Sequence, residues 1–155
     1  MGLRKRTMLS WEEVVQLSYD LAEQIRGKKV NPDAVVGIHP SGYAPAHLVA
    51  RELGIPSGLV LSSRAFRPSK DVNDVILIND RTDELSYFLA EPKLHAAGIT
   101  RVQRAVLVSS EREPSGFYAA KQRGRIIFPW DEKSPFHDKY RQQIPSLTRT
   151  LIQHA

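Results

Sequence analysis

Apolar residues recur along the chain with two different periods, and the switches between them mark out the elements. Ser10-Trp11-Glu12-Glu13 has the form of a capping box. Val14, Leu17, Leu21 and Ile25 follow at helical spacing until Gly27, which predicts a first helix. Ala34, Val35, Val36, Gly37 and Ile38 are apolar on both faces, the pattern of a central parallel strand. A second helix is expected from Pro45 through Leu48, Val49 and Leu53 to Gly54, then a strand over 57–61. Residues 62–74 are polar and basic and include Pro68, so they read as a connection. A buried strand is predicted over 75–79, and a helix through Phe88, Leu89 and Leu94 that stops at Gly98, with Pro92 near its start or at a kink. Strands over 102–108 and 125–128 complete the pattern.

Strand and helix alternate in a way that predicts an α/β fold: a three-layer, doubly wound, mostly parallel sheet. The whole chain, 1–155, reads as a single domain with its core at about 10–131 and a tail over 132–155 that is partly helical beyond Phe136. A chain of 155 residues can bury a sizeable core without staples. It contains no cysteine, which excludes a disulfide framework, a thiolate metal site and a cysteine nucleophile. The basic N-terminus is not followed by an apolar signal core, and no run approaches the roughly 18 apolar residues of a membrane span. The expectation is a soluble, cytoplasmic protein with no membrane partner.

A net charge of +5 suits an anionic partner, whether a phosphorylated small molecule, a nucleic acid or an acidic protein. The cations are scattered, with no dense basic helix. His39, His47, His95, His137 and His154 lack metal-ligand spacing, and the first strand is not followed by a dinucleotide-binding glycine fingerprint. Candidate chemistry collects instead where strands end, the usual place for a ligand in an open α/β sheet. One such stretch is His39-Pro40-Ser41-Gly42, and another runs from Asn79 and Asp80 through Arg81, Thr82, Asp83 and Glu84 to Ser86. The second contains no glycine, although phosphate cradles usually need one to turn tightly and aim several N–H groups at an anion. Arg112 follows the fourth strand, and Ile127-Phe128-Pro129-Trp130-Asp131 follows the last.

From Trp11 to Asp131, the order of these stretches resembles a type I phosphoribosyltransferase, most of all the short xanthine-guanine and hypoxanthine branch. The Pro129-Trp130-Asp131 ending is the most particular feature of the resemblance. Such enzymes let a base displace pyrophosphate from phosphoribosyl pyrophosphate (PRPP), chiefly by orientation and electrostatics. The resemblance implies a pyrophosphate loop at 39–42, with His39 as its cation and Ser41 and Gly42 beside it. It implies ribose contact at Asn79 and Asp80, with Asp80 also meeting a Mg2+ ion that accompanies PRPP or pyrophosphate. Asp83 becomes the candidate catalytic acid near the base, while Arg81, Thr82, Glu84 and Ser86 occupy the phosphate loop. Arg112 would read the base's 6-oxo group. Phe128 or Trp130 would stack on its ring, with Ile127 and Asp131 at its edge. A lid would fall within 62–74, carrying Arg64, Arg67 and Lys70.

Four departures from that pattern bear on function. Asn79 replaces the first acid, Glu84 and Leu85 stand where small residues should donate to a phosphate, Pro40 removes a donor, and the lid is short. The expected function is therefore a phosphoribosyltransferase-family protein that binds a nucleotide, nucleobase or PRPP-like ligand, with ordinary purine transfer weakened, altered or lost. The alternatives are an active xanthine, guanine or hypoxanthine phosphoribosyltransferase of purine salvage, and an RNA-binding or regulatory module on the same fold. A small phosphorylated ligand or purine is the expected partner, and homo-oligomerisation stays open.

Overall fold

Ser10 begins the first helix as its capping box predicts: its hydroxyl accepts from Glu13 N at 3.1 Å, and Glu13 Oε1 accepts from Ser10 N at 3.2 Å. The computed structural model describes residues 6–61, 63–69, 71–131, 133 and 134. In chain order the elements are β1 (Arg6–Met8), α1 (Trp11–Gly27), β2 (Ala34–Ile38), α2 (Tyr43–Leu53), β3 (Ser57–Val60), β4 (Asp74–Arg81), α3 (Glu84–Ala96), β5 (Arg101–Ser109), β6 (Phe117–Lys121) and β7 (Arg125–Ile127). Five strands form the main sheet in the order β3-β2-β4-β5-β6, every neighbouring pair parallel.

Residues of β4 alternate between two apolar layers, as the two-residue period of a strand requires. Ile76 and Ile78 join Leu21 and Ile25 of α1 and Val49 of α2 on one face. Val75 and Leu77 join Tyr87 and Leu94 of α3 on the other. This is the three-layer α/β arrangement expected from the sequence. Among the described residues, no helix is long and apolar enough to cross a membrane.

Three elements differ from the sequence-based expectation. The segment 125–128 does not extend the main sheet; β7 pairs in parallel with β1, a three-residue strand whose pattern is too short to detect alone, and the two form a separate ribbon. The fifth strand of the main sheet is β6, where Tyr118 N is satisfied by Gln24 Oε1 of α1 at 2.8 Å. Helix α3 starts at Glu84, earlier than its apolar spacing indicates, and holds Pro92 in its interior. Pro92 and Phe88 are both exposed, so the carbonyl deprived of its helical bond lies on the solvent side, which makes the proline tolerable.

The loop after β2 is pressed against the end of β4. A Cβ on Gly42 would stand 2.5 Å from Ile38 N and 2.6 Å from Ile78 O, and one on Gly37 would stand 2.4 Å from Gly42 O. Backbone atoms cannot retreat as a side chain would, so both positions need a residue without Cβ. This places Gly42 and Asp80 at the same carboxyl edge of the sheet. Gly42→Ala is expected to cost about 1–3 kcal/mol through overpacking, seen as a melting temperature lowered by several degrees in calorimetry. Gly27→Ala, where a Cβ would meet nothing within 4 Å, should leave the melting temperature level or higher.

Candidate functional site

The two loops at the carboxyl edge are joined by a side-chain bond. Ser41 Oγ donates to Asn79 Oδ1 at 2.8 Å, and the same oxygen accepts from Asp80 N at 2.9 Å. Asn79 thus fixes the loop 39–42 to the strand end, a task its amide performs without burying a charge. The His39-Pro40 peptide is cis, and His39 N donates to Val60 O at 3.1 Å. Partial burial holds the His39 imidazole below its ordinary pKa, so it is neutral at pH 7. Helix α2 follows directly, with Gly42 as its N-cap and no side-chain capping bond.

Asp80 is buried, with 1 % of its surface exposed. Its Oδ2 accepts from Trp130 Nε1 at 2.9 Å and from Arg81 Nη2 at 3.1 Å. The Arg81 guanidinium continues to Asp131, with contacts of 2.8 and 3.1 Å, and Asp131 Oδ2 also accepts from Phe128 N at 2.8 Å. Trp130 stacks on Phe128 at 4.9 Å between centroids, 11° from parallel, and Arg81 lies over the Phe128 ring at 4.8 Å. Burial raises the Asp80 pKa, against the opposing pull of Arg81 and the bond from Trp130.

This arrangement changes the expectation for the base-binding wall. Phe128 is fully buried and has no face left for a ligand. Trp130 is half-buried, with its N–H given to Asp80 and one ring face stacked on Phe128. The backbone around Ile127 is likewise used internally, since Ile127 O accepts from Leu9 N at 2.9 Å and Phe128 N is held by Asp131.

The remaining candidate residues lie around these strand ends. Thr82 Oγ1 lies 3.3 Å from Ser109 Oγ and accepts from Ser110 N at 3.2 Å, which ties the ends of β4 and β5. Ser109 was not singled out from the sequence, where a serine closing an apolar strand gives only a faint signal. Asp83 is the N-cap of α3: one oxygen accepts from Ser86 N at 3.3 Å and the other from Ser86 Oγ at 2.7 Å. Glu84 pairs with Arg104 at 2.9 Å, and Arg104 also bonds Glu91 at 2.6 Å. The Glu84 carboxylate therefore has its own counter-charge, which weakens its repulsion of an anion bound nearby. Arg112 is exposed between β5 and β6, and its carbonyl accepts from Lys121 Nζ at 2.9 Å.

The connection expected to act as a lid is held elsewhere. Lys93 Nζ of α3 donates to Leu61 O at 2.8 Å and Arg64 O at 3.0 Å, while Phe66 and Val72 pack against the α3-side core. Arg64 and Arg67 are exposed on this segment, and Lys70 lies outside the described residues.

No protein-family model and no curated protein matches the sequence. Solved structures do match. A purine phosphoribosyltransferase from Pyrococcus horikoshii Ot3 aligns with a TM-score of 0.69 at 22% identity, covering 82% of this chain and 94% of the other. The Helicobacter pylori xanthine-guanine-hypoxanthine phosphoribosyltransferase gives a TM-score of 0.71 at 14% identity, covering 90% and 99%. The chain has the type I phosphoribosyltransferase fold. A hypothetical protein from Neisseria gonorrhoeae with bound ppGpp is also similar, with a TM-score of 0.67 at 17% identity over 94% of this chain and 99% of that one. Within the phosphoribosyltransferase fold, Asp80 as placed here fits a Mg2+ ligand poorly. Burial favours its proton, and Oδ2 already takes two bonds. Among the described residues, no three His, Cys, Asp or Glu side chains form a group able to hold a metal.

Two predictions follow from the polar network. Because burial raises the Asp80 pKa in the folded chain, that state binds more protons than the unfolded one between the ordinary carboxylate value, about 3.9, and the raised value. This group's contribution to stability therefore falls as pH rises through the window. Asp80→Asn keeps an acceptor for Trp130 and cannot ionise, so it should melt above the native chain at pH 7–8, with the difference closing toward pH 4. Separately, Asp83→Ala should destabilise the fold by about 1 kcal/mol through loss of the α3 cap, while Asp83→Asn should be nearly neutral in denaturant titration.

Proposed function

We propose that the cleft between the loops 39–42 and 79–86 and the segment 128–131 binds a nucleotide or PRPP-like phosphorylated ligand, with ordinary purine phosphoribosyl transfer weakened, altered or lost. The observation that carries this reading is the engagement of Asp80, the acid at the end of the central strand, by Trp130 and Arg81. Transfer from PRPP forms a bond between a base nitrogen and ribose C1 as the bond to pyrophosphate breaks. The protein's part is to hold the two phosphate groups apart, orient the ribose and stabilise developing charge. Acids facing the ribose and a turn lined with N–H donors serve that task. Here Asp80 secures Trp130, Asp83 caps α3, and the turn after β4 has no glycine.

Features that favour an anion remain at the same edge. The N-terminus of α2 has no side-chain cap, Ser41, Thr82 and Ser86 bring hydroxyls, and Arg81 brings a cation. Against this, loop 39–42 offers only a neutral His39, and loop 79–86 holds three carboxylates (Asp80, Asp83, Glu84) to one guanidinium (Arg81), with Glu84 paired to Arg104. Similarity to a purine phosphoribosyltransferase and to a protein with bound ppGpp supports a nucleotide or PRPP-like occupant.

The test is a thermal-shift and calorimetric panel of PRPP, pyrophosphate, guanosine monophosphate and ppGpp, each with and without Mg2+. A true ligand at a hundred times its Kd should add about 2.7 kcal/mol of stability. A nucleoside phosphate is expected to stabilise the protein, and PRPP to bind at about millimolar levels or weaker, near −4 kcal/mol. Micromolar PRPP binding with turnover of guanine, xanthine or hypoxanthine would replace this reading with that of a working purine salvage enzyme.

A further inference from the structure

The described residues of the connection between β3 and β4 arch over the α3-side face of the sheet and leave a pocket of about 130 Å³ beneath them. One end of the arch is fixed where Lys93 Nζ of α3 donates to Leu61 O and Arg64 O, at 2.8 and 3.0 Å. The other end is fixed where Asp33 Oδ2 accepts from Asn73 N and Asp74 N, at 2.8 and 2.9 Å. Ala34 and Val36 of β2 and Gly58 of β3 line the floor, because alternate residues of a strand share a face. Phe66 and Val72 form an apolar wall. Gly58 keeps the space open: a Cβ there would meet nothing nearer than the Phe66 ring, at 3.8 Å. Arg64 and Arg67 also line the pocket and are exposed. Among the described residues neither makes an ion pair, and no Asp or Glu lines the pocket. The pocket is separate from the loops 39–42 and 79–86. None of their residues lines it, and Ala34 lies four residues before the end of β2, on the order of 13 Å at the rise of a strand.

We propose that this pocket is a second ligand site, which takes a small aromatic carboxylate with its ring against Phe66 and its carboxylate at Arg64 and Arg67. Size sets the body of the ligand: an apolar cavity of roughly 150 Å³ holds one benzene ring, so a single ring fills this one. Composition sets the rest. An apolar floor and an aromatic wall favour a flat hydrocarbon face, and two guanidiniums without acids favour a carboxylate, which their planar forks bind through paired hydrogen bonds. A neutral ring would leave both cations to water, and a carboxylate without a ring would leave the floor wet. The site is built from its own residues and does not depend on which ligand the carboxyl edge takes.

Benzoate is the probe. In a titration followed by NMR, the Gly58 amide should shift and saturate with benzoate, whereas benzyl alcohol should need about ten-fold higher concentration and acetate should leave the amide unmoved. Gly58→Val puts a branched side chain, which a strand accepts readily, into the pocket. Followed on the resonances of benzoate itself, that variant should no longer bind, while its melting temperature stays level or rises. The double variant Arg64→Gln, Arg67→Gln lies on an exposed connection and should leave melting unchanged, weaken benzoate about ten-fold and leave benzyl alcohol as it was. It decides the question even if Gly58→Val fails to fold. A Gly58 amide that ignores benzoate overturns the proposal, as do acetate or benzyl alcohol binding as tightly as benzoate. Shifts confined to the loops 39–42 and 79–86 would put benzoate in the other site and overturn it too. So would undiminished benzoate binding by the double arginine variant or by a folded Gly58→Val.

Discussion

The buried carboxylate of Asp80 joins the central strand to the segment that follows the β1-β7 ribbon. Through Trp130 it holds one aromatic ring, and through Arg81 it reaches Asp131, which in turn fixes the backbone at Phe128. The turn at 128–131 is held as well by the backbone bond from Asp131 N to Phe128 O at 3.0 Å and by the stacking of Trp130 on the buried Phe128. Charge-assisted bonds such as those of the network are short and directional, so they define a geometry that apolar packing alone leaves looser. The cost is a buried acid. With Asp80 ionised, the two carboxylates and one guanidinium carry a net negative charge away from water, and burial consequently favours the neutral form.

The same network bears on the proposed ligand site. Groups that could face a ribose or base are satisfied by one another, so a ligand must either displace internal partners or bind beside them. Displacement would strand a buried carboxylate or an indole N–H, and leaving such a group unpaired costs about 1–3 kcal/mol or more. A polar ligand able to replace those bonds avoids that penalty. An apolar ring cannot. On the proposed reading, such a site would discriminate by hydrogen-bond replacement more than by shape.

A second constraint sets the frame around this network. Gly37, Gly42 and the carbonyl of Ile78 approach so closely that the first loop can only lie against the end of β4. Ser41 and Asn79 then complete the contact with a bond between side chains. Backbone proximity comes from the glycines and polar registration from Asn79, which explains how the strand end tolerates an amide at that position. On the other side of the sheet, Arg104 holds α3 through Glu84 and Glu91, and Tyr87 OH donates to Ala105 O at 2.5 Å. Ion pairing and burial there anchor the inner face of a helix whose outer face is apolar.

By itself, the sequence determined the layered α/β fold, because short runs apolar on both faces, bounded by turn residues, have the pattern of central parallel strands and the intervening segments bury one helical side. The bounds of α1, β2 and α2 could be read from the capping box at Ser10, the run 34–38 and the closing Gly54, all of them local signals. The sequence also pointed to the loops 39–42 and 79–86, since ligand sites in such sheets lie at strand ends. Tertiary structure decided everything that rests on distant pairing. Strands β1 and β6 are too short or too weakly patterned to be recognised, and exist because β7 and β5 offer them backbone partners. The roles of Asp83 and Glu84 depended on Ser86 being within capping distance and on Arg104, twenty residues away, standing on the neighbouring strand β5 under α3. That Asp80, fifty residues earlier, takes the Trp130 N–H is likewise something a linear chain cannot show. Hydrophobic periodicity is a local property and survives in one dimension, whereas the satisfaction of a buried polar group is decided only when the fold brings its partner into place.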